Sequence, residues 1–146
     1  MTNRRKLIIQ AVSGTALFCT ARSAVFARLE HPDPQWHEAA LGMLQLAESW
    51  GDQSYGAVVI MDGKIVGKGP SRVVKDKNPD AHAERVAILD AQQRLGLENL
   101  IGGVLYSTSR PCAVCAAAAS CARVSKMYFG KAMQNADSPH HACVQR

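Results

Sequence analysis

The sequence has no apolar run long enough to cross a membrane as a helix. The longest candidate, Leu7 to Cys19, has 13 residues and is interrupted by polar side chains, whereas a spanning helix needs roughly 20. We find no internal repeat and no low-complexity linker. Five cysteines in 146 residues do not make a disulfide-dense chain. These absences predict one soluble globular domain.

Excess positive charge is confined to the amino terminus. The whole chain carries a net charge of +5. Its first 27 residues contain four basic side chains and no acidic one, so the remainder has 13 basic and 12 acidic side chains, a net charge of +1. A nearly neutral domain lacks the electrostatic footprint of a polyanion-binding protein. We therefore expect no strong nucleic-acid binding and no membrane association.

Residues 1–27 follow the pattern of a secretory signal peptide, with a basic start, an apolar stretch and a small-residue cleavage site at Val25 to Ala27. The run NRRKLI resembles the twin-arginine export signal. We expect export to the periplasm; a merely basic amino terminus, and hence a cytoplasmic protein, is the alternative. A domain at residues 28–133 and a short tail at residues 134–146 would follow.

Helix and strand patterns alternate along the rest of the chain. A helix begins at an N-cap and proline pair, two β-rich runs are joined by a hairpin signal, and a second helix follows a polar loop and stops at a glycine. In chain order, these signals are Asp33-Pro34, YGAVVI and KIVGKG around Asp62-Gly63, the loop 71–80, the helix ending at Gly96, the strand VLYSTS, the Ala-rich helix Cys112 to Arg123 and the strand KMYFG. The order predicts an α/β fold with a mixed sheet and helices on both faces.

Two short motifs contain the residue types that bind zinc. RPCAVC places Cys112 and Cys115 on one face at the start of a helix, where the positive helix end favours thiolates. HAE at 82–84 begins the preceding helix. Two thiolates and one imidazole make a three-ligand set that leaves a fourth position for water. Because ligands of α/β sheets bind beyond the carboxyl ends of strands, we expect His82, Cys112 and Cys115 to hold one Zn²⁺ per chain.

Glu84 lies two residues after His82 and does not share its helix face. A carboxylate that stands beside a metal ion without binding it can accept a proton from the acidified water and pass it to a leaving group. We therefore predict Glu84 to be the catalytic proton shuttle.

The cysteine motif also has simpler interpretations. CxxC alone is typical of a redox pair or of half a structural zinc site, although a redox pair leaves HAE unexplained. In a closed structural site, His140, His141 or Cys143 would supply a fourth ligand, and the protein would be a catalytically inactive, zinc-stabilised binding module. Cys121 is expected to be a small buried apolar residue, with a late disulfide to Cys143 as the alternative.

HAE at 82–84 and PCAVC at 111–115 together resemble the signature of the zinc-dependent cytidine deaminase-like superfamily. GAVVIMDGKIVGKG followed by NPDAHAE is similar to its guanine, cytosine and tRNA adenosine deaminase branch, from about Trp36 to about Met133. The resemblance implies a three-layer α/β/α fold and a homodimer or larger assembly. It also implies that a zinc-bound water attacks the amino-bearing ring carbon of a nucleobase or nucleoside, with Glu84 as proton shuttle. A tRNA adenosine deaminase-like enzyme is the alternative, disfavoured by the near-neutral charge and the export signal.

The sequence departs from this branch at three places. Ser71 stands where a G-x-N-R-V stretch commonly has a substrate-contacting Asn, so we expect poor discrimination among bases. Arg110 stands where Glu commonly precedes the first cysteine, which reverses a charge beside the site. The residues NADSPHHACVQR replace the final strand and helix. Ser71, Ala83 and Tyr55 are the residues that we expect to contact the substrate.

Overall fold

The computed structural model describes residues 32–136 and Cys143. The predicted signal peptide at 1–27 lies outside this part of the chain, as do His140 and His141. No helix within the described part is long and apolar enough to cross a membrane.

Residues 34–135 contain three helices and five strands. In chain order they are α1 (Pro34–Ser49), β1 (Gly56–Met61), β2 (Lys64–Pro70), α2 (Ala83–Leu95), β3 (Val104–Ser107), α3 (Ala113–Cys121), β4 (Lys126–Phe129) and β5 (Gln134–Asn135). The predicted order of elements is confirmed up to β4.

Local signals set the element boundaries as the sequence predicts. The Asp33 side chain accepts a hydrogen bond from the backbone N–H of Gln35 and caps α1. Asp62 and Gly63 both have left-handed backbones, with φ of 49° and 70°, as a tight hairpin between β1 and β2 requires. Gly96 ends α2 in the left-handed region, with φ of 64°.

The sheet is mixed, with strand order β2-β1-β3-β4-β5. Strands β3 and β4 are parallel, and the other neighbours are antiparallel. The carboxyl ends of β3 and β4 therefore lie at the same edge as the amino end of β1. The loops that leave β3 and enter β1 meet at this edge, where ligands of α/β sheets bind.

Strand β1 divides the core into two layers because its side chains alternate between the sheet faces. Ala57 and Val59 pack with residues of α2 and α3. Val58 and Ile60 pack with residues of α1, β3 and β4 on the other face. All four are fully or almost fully buried. The predicted three-layer α/β/α arrangement is confirmed.

Helix α2 approaches β2 so closely that two positions of the strand have room only for glycine. A Cβ added at Gly67 would collide with the carbonyl oxygen of Ala87, and one at Gly69 with that of Ala83. Ala83 lies between His82 and Glu84. The contact at Gly69 therefore fixes the turn of α2 that carries both motif residues.

The carboxyl-terminal region differs from the expectation that the chain lacks a final strand. The chain reverses at Gly130 and Met133, both with positive φ, and β5 pairs antiparallel with β4. Two residues of sheet thus fall inside the segment assigned to the tail, 134–146. The expectation that Cys121 is a small buried apolar residue was wrong, and the alternative holds: Cys121 forms a disulfide with Cys143, with the Cα atoms 4.9 Å apart. Cys121 is the last residue of α3 and is only half-buried, so its thiol can reach a partner.

We predict that Gly69→Ala moves α2 away from β2 and weakens metal binding. The added methyl group has no space, and overpacking of this kind typically destabilises a protein by about 1–3 kcal/mol. Thermal unfolding and zinc titration measure the two effects. Gly42→Ala in α1 is the matched control, because its added Cβ meets no heavy atom within 4 Å and replacing a helical glycine by alanine stabilises a protein by roughly 0.5–1 kcal/mol. Equal effects of the two substitutions would contradict the close-packing account.

Candidate metal centre

The side chains of His82, Cys112 and Cys115 converge on one point. Nδ1 of His82 lies 3.5 Å from Sγ of Cys115 and 3.7 Å from Sγ of Cys112, and all three donor atoms lie within 4.8 Å of one another. A tetrahedral zinc ion with Zn–S of about 2.3 Å and Zn–N of about 2.05 Å holds nitrogen and sulfur about 3.6 Å apart. The three residues are therefore placed to hold a metal ion, and their spacing fits zinc.

The first residues of two helices bring these donors together. His82 is the N-cap of α2 and Cys112 is the N-cap of α3; both have extended backbones, and neither side chain caps its own helix. Both side chains are therefore available to the shared point. Cys115 lies one turn into α3, on the same side as Cys112, and is fully buried. The positive ends of the two helices favour thiolate ligands.

Cys115 would need a nearby cation in order to ionise. Burial raises the pKa of the Cys115 thiol well above its ordinary value, and the nearby Glu84 carboxylate raises it further. A buried thiol of this kind stays protonated unless a cation compensates its charge, and a coordinating dication deprotonates a thiol outright. A metal ion accounts for the presence of both cysteines and of His82 at one place.

Glu84 is buried beside the donors and hydrogen-bonded to Ser107. Its side chain is 6% exposed. Oγ of Ser107 lies 3.0 Å from Oε1 of Glu84 and 2.8 Å from the carbonyl oxygen of Ser109. A hydroxyl group has one proton and donates to one acceptor at a time. Ser107 can donate to an ionised Glu84; when Glu84 is protonated, it can donate to Ser107, which then turns to the Ser109 carbonyl. The network accommodates both protonation states that a proton shuttle passes through.

A cavity of about 250 Å³ opens next to the donor atoms. It brings together five residues that the sequence analysis assigns to the metal, to catalysis or to the substrate: Tyr55, His82, Ala83, Glu84 and Cys112. The space is smaller than the roughly 300–1,000 Å³ of pockets that enclose drug-sized ligands. A single ring system suits it.

Ser71 is not among the residues that line this cavity. It is fully buried, and its hydroxyl donates to Oδ1 of Asp52 at 2.8 Å. The other carboxylate oxygen of Asp52 accepts the backbone N–H groups of Val74 and Lys75. Although burial raises it, these hydrogen bonds bring the pKa of Asp52 below its ordinary value. The hydrogen bonds to Asp52 thus join the 71–75 segment, including Ser71, to the loop that precedes β1. A role of Ser71 in base recognition stays a prediction.

The structure adds four residues to the site that the sequence analysis did not place there. Ser107 forms the hydrogen bond to Glu84, while Gln53, Ser109 and Arg110 line the cavity. Arg110 had been noted only as a reversed charge. The signal for Ser107 and Ser109 lay in VLYSTSR, since polar residues at the carboxyl end of a buried strand lie where ligands bind. Gln53 precedes a strand and had no motif of its own.

Comparison with known proteins agrees with this geometry. The family model for the cytidine and deoxycytidylate deaminase zinc-binding region matches residues 31–131. The tRNA-specific adenosine deaminase of Agrobacterium fabrum is 41% identical over 75 residues, which are 51% of this chain and 49% of that protein. The chain thus spans about half the length of this curated relative.

Two solved structures have the same fold. One comes from a study of A-to-I editing by tRNA:A34 deaminases at the wobble position of transfer RNA; its TM-score is 0.65 at 36% identity, with 67% of this chain and 71% of that chain covered. The other is guanine deaminase from Bacillus subtilis, with a TM-score of 0.65 at 29% identity and 68% and 64% covered. They support the mixed-sheet fold predicted from the sequence.

We predict that His82→Ala and Cys112→Ala each lose zinc, and that removing zinc from the unmodified protein with a chelator lowers its unfolding temperature. A ligand that binds only the folded state raises the free energy of unfolding by about 4 kcal/mol when its free concentration is a thousand times Kd. Atomic absorption and calorimetry measure both effects. Cys143→Ser is the control: it removes the disulfide and should keep zinc at full stoichiometry. Zinc loss in this control would indicate that the tail supplies a ligand.

Proposed function

Because the chain belongs to the cytidine and deoxycytidylate deaminase zinc-binding family, we propose that it is a zinc-dependent hydrolytic deaminase of a nucleobase or nucleoside. The observation that carries the proposal is the position of Glu84: a buried carboxylate that is not part of the donor set, in the wall of the cavity that His82 and Cys112 also line. This pairing of three ligands with one adjacent carboxylate is what hydrolytic deamination needs. Bound zinc would supply an acidified water for attack on the amino-bearing ring carbon.

The chain's own residues would move the protons. Glu84 accepts the proton of the attacking water and returns it to the departing amine, which leaves as ammonia. Ser107 holds the Glu84 carboxylate through Oε1 in the ionised state and accepts a hydrogen bond from it in the protonated state. Ala83 and Tyr55 contact the ring in the cavity.

A small substrate agrees with the size of the cavity and with the charge of the domain. The space of about 250 Å³ admits a base, and residues 28–146 carry a net charge of only +1. A tRNA adenosine deaminase is the second candidate, because the Agrobacterium fabrum relative at 41% identity has that name. Ammonia release from guanine, adenine, cytosine and their nucleosides, compared with inosine formation in tRNA, separates the two.

The homodimer implied by the resemblance stays a prediction that sedimentation of the full chain tests.

An inactive, zinc-stabilised module is the third candidate, and the disulfide of Cys143 removes one of the three tail residues that could complete its closed site. A closed site needs a fourth protein ligand. Cys143 is bonded to Cys121, so its thiol is not available to the metal. Among residues 32–136 and Cys143, the residues placed to share an ion are His82, Cys112 and Cys115 alone.

We propose that the protein is exported by the twin-arginine pathway. The motif NRRKLI at residues 3–8 supports export, and so does the Cys121–Cys143 disulfide, because disulfides persist in oxidising compartments such as the periplasm. A fusion of residues 1–35 to a reporter should reach the periplasm, and replacing both Arg4 and Arg5 by Lys should keep it in the cytoplasm. Export that is unaffected by this replacement would remove the twin-arginine proposal.

We predict that Glu84→Gln abolishes most activity and leaves zinc bound. The substitution keeps the size of the side chain and removes the proton carrier, so turnover should fall by about 10²- to 10⁴-fold. Ammonia release and zinc content are measured on the same samples. Glu48→Gln, on the exposed side of α1, is the matched control and should match the unmodified protein.

Ser107 variants extend this test. Ser107→Ala removes the hydrogen bond to Glu84, and a hydrogen bond to a charged group contributes about 1.5–3 kcal/mol, or roughly a 10- to 100-fold loss of turnover. Ser107→Thr keeps the hydroxyl group and should restore most of the turnover. Full activity in Glu84→Gln would refute the deaminase proposal, whatever the Ser107 variants do.

A further inference from the structure

The cavity has a negative group at depth and a positive group at its rim. Glu84 is buried, whereas Arg110 is exposed. Arg110 is the one lysine or arginine among the described residues that line the cavity. It stands in the loop between β3 and α3, two residues before Cys112. Any group attached to a ring in the cavity and extending to solvent would therefore pass near a fixed positive charge.

The guanidinium group of Arg110 is held in place but not neutralised. Its central carbon lies 5.5 Å from the centre of the Phe129 ring, a cation–π contact. The ion pairs of arginine in the described part of the chain belong to Arg72, Arg85 and Arg94. A ring contact of this kind uses none of the N–H donors of the guanidinium group, so these remain available to donate to a partner with two oxygens.

Size decides which part of a substrate reaches this arginine. The cavity of about 250 Å³ is of a size for a ring system, below the roughly 300–1,000 Å³ of pockets that enclose drug-sized ligands. A sugar and its phosphate would lie outside the cavity mouth. Arginine binds phosphate, as it binds carboxylate, through two parallel N–H···O hydrogen bonds, and phosphate is the anion that a nucleotide carries.

We propose that Arg110 is a specificity-determining residue that binds the phosphate of a nucleotide whose base enters the cavity. The preferred substrate is then a phosphorylated nucleoside. The inference rests on the proposed function for its chemistry, but the binding of phosphate does not depend on turnover. Gln53 and Ser109, which also line the cavity, add neutral hydrogen-bonding groups near the rim. The phosphate is either the monoester of a mononucleotide or a diester within a strand.

Binding is measured by calorimetry on the full-length, zinc-loaded Glu84→Gln protein, in which turnover is blocked. The probes are guanosine, adenosine and cytidine, their 5′-monophosphates, and short single-stranded oligonucleotides of the same bases. We expect the monophosphate or the oligonucleotide to bind about 10- to 100-fold more tightly than the nucleoside. Adding Arg110→Gln should reduce this preference to about onefold, Arg110→Lys should keep part of it, and Arg110→Glu should reverse it.

Controls and opposite outcomes separate this inference from the proposed function. Lys64→Gln removes a charge beside the hairpin turn, at the far end of β1 from the cavity, and should leave the preference unchanged. An Arg110-dependent preference for the monophosphate assigns a monoester, and one for the oligonucleotide alone assigns a diester; both support the inference. The inference is overturned if the preference survives Arg110→Gln, or if the Glu84→Gln protein that still has Arg110 shows no preference. If the parent binds phosphorylated probes but unmodified protein releases no ammonia from any of them, the phosphate site stands and the deaminase proposal fails.

Discussion

The metal centre depends on where two helices begin. His82 and Cys112 are the N-cap residues of α2 and α3, and each directs its side chain to a common point and not to its own helix. Nitrogen–sulfur separations of 3.5 and 3.7 Å leave little tolerance, because tetrahedral zinc needs about 3.6 Å. The glycines of β2 allow the first turn of α2 to lie close against the strand, and this contact helps to set the position of His82.

The same donor set serves a structural or a catalytic metal, and the difference lies in what surrounds it. A fourth protein ligand closes a site, whereas an open position beside a general base makes it reactive. Here the buried Glu84 and its partner Ser107 stand next to the three donors. The disulfide of Cys143 with Cys121 holds the nearest tail cysteine away from the metal. The surroundings therefore favour the reactive form.

Features with local causes could be predicted from the sequence. The hairpin at Asp62-Gly63, the cap at Asp33 and the stop at Gly96 each depend on the backbone preferences of one or two residues. The ligand set was predictable because HAE and PCAVC together match one signature, whereas CxxC alone has other interpretations.

Features that depend on tertiary placement could not be predicted in the same way. Strand β5 has two residues, too few for a period to be visible. Ser71 has the sequence position of a substrate contact, yet its hydroxyl is bound to Asp52, a partner that lies 19 residues away. The Ser107 hydroxyl appears in sequence as one polar residue in a strand, and its contact with Glu84 follows from the way α2 lies on the sheet. The Cys121–Cys143 bond was open only as an alternative, because its two cysteines are 22 residues apart and their meeting depends on tertiary structure.

The most direct test of the central claim is X-ray absorption spectroscopy of the zinc-loaded, full-length protein. An open site made by His82, Cys112 and Cys115 predicts one zinc ion with two sulfur neighbours at about 2.3 Å, one imidazole nitrogen and one further light atom at about 2.0–2.1 Å. A third sulfur or a second imidazole in the spectrum would mean that another protein ligand closes the site, and would contradict the account.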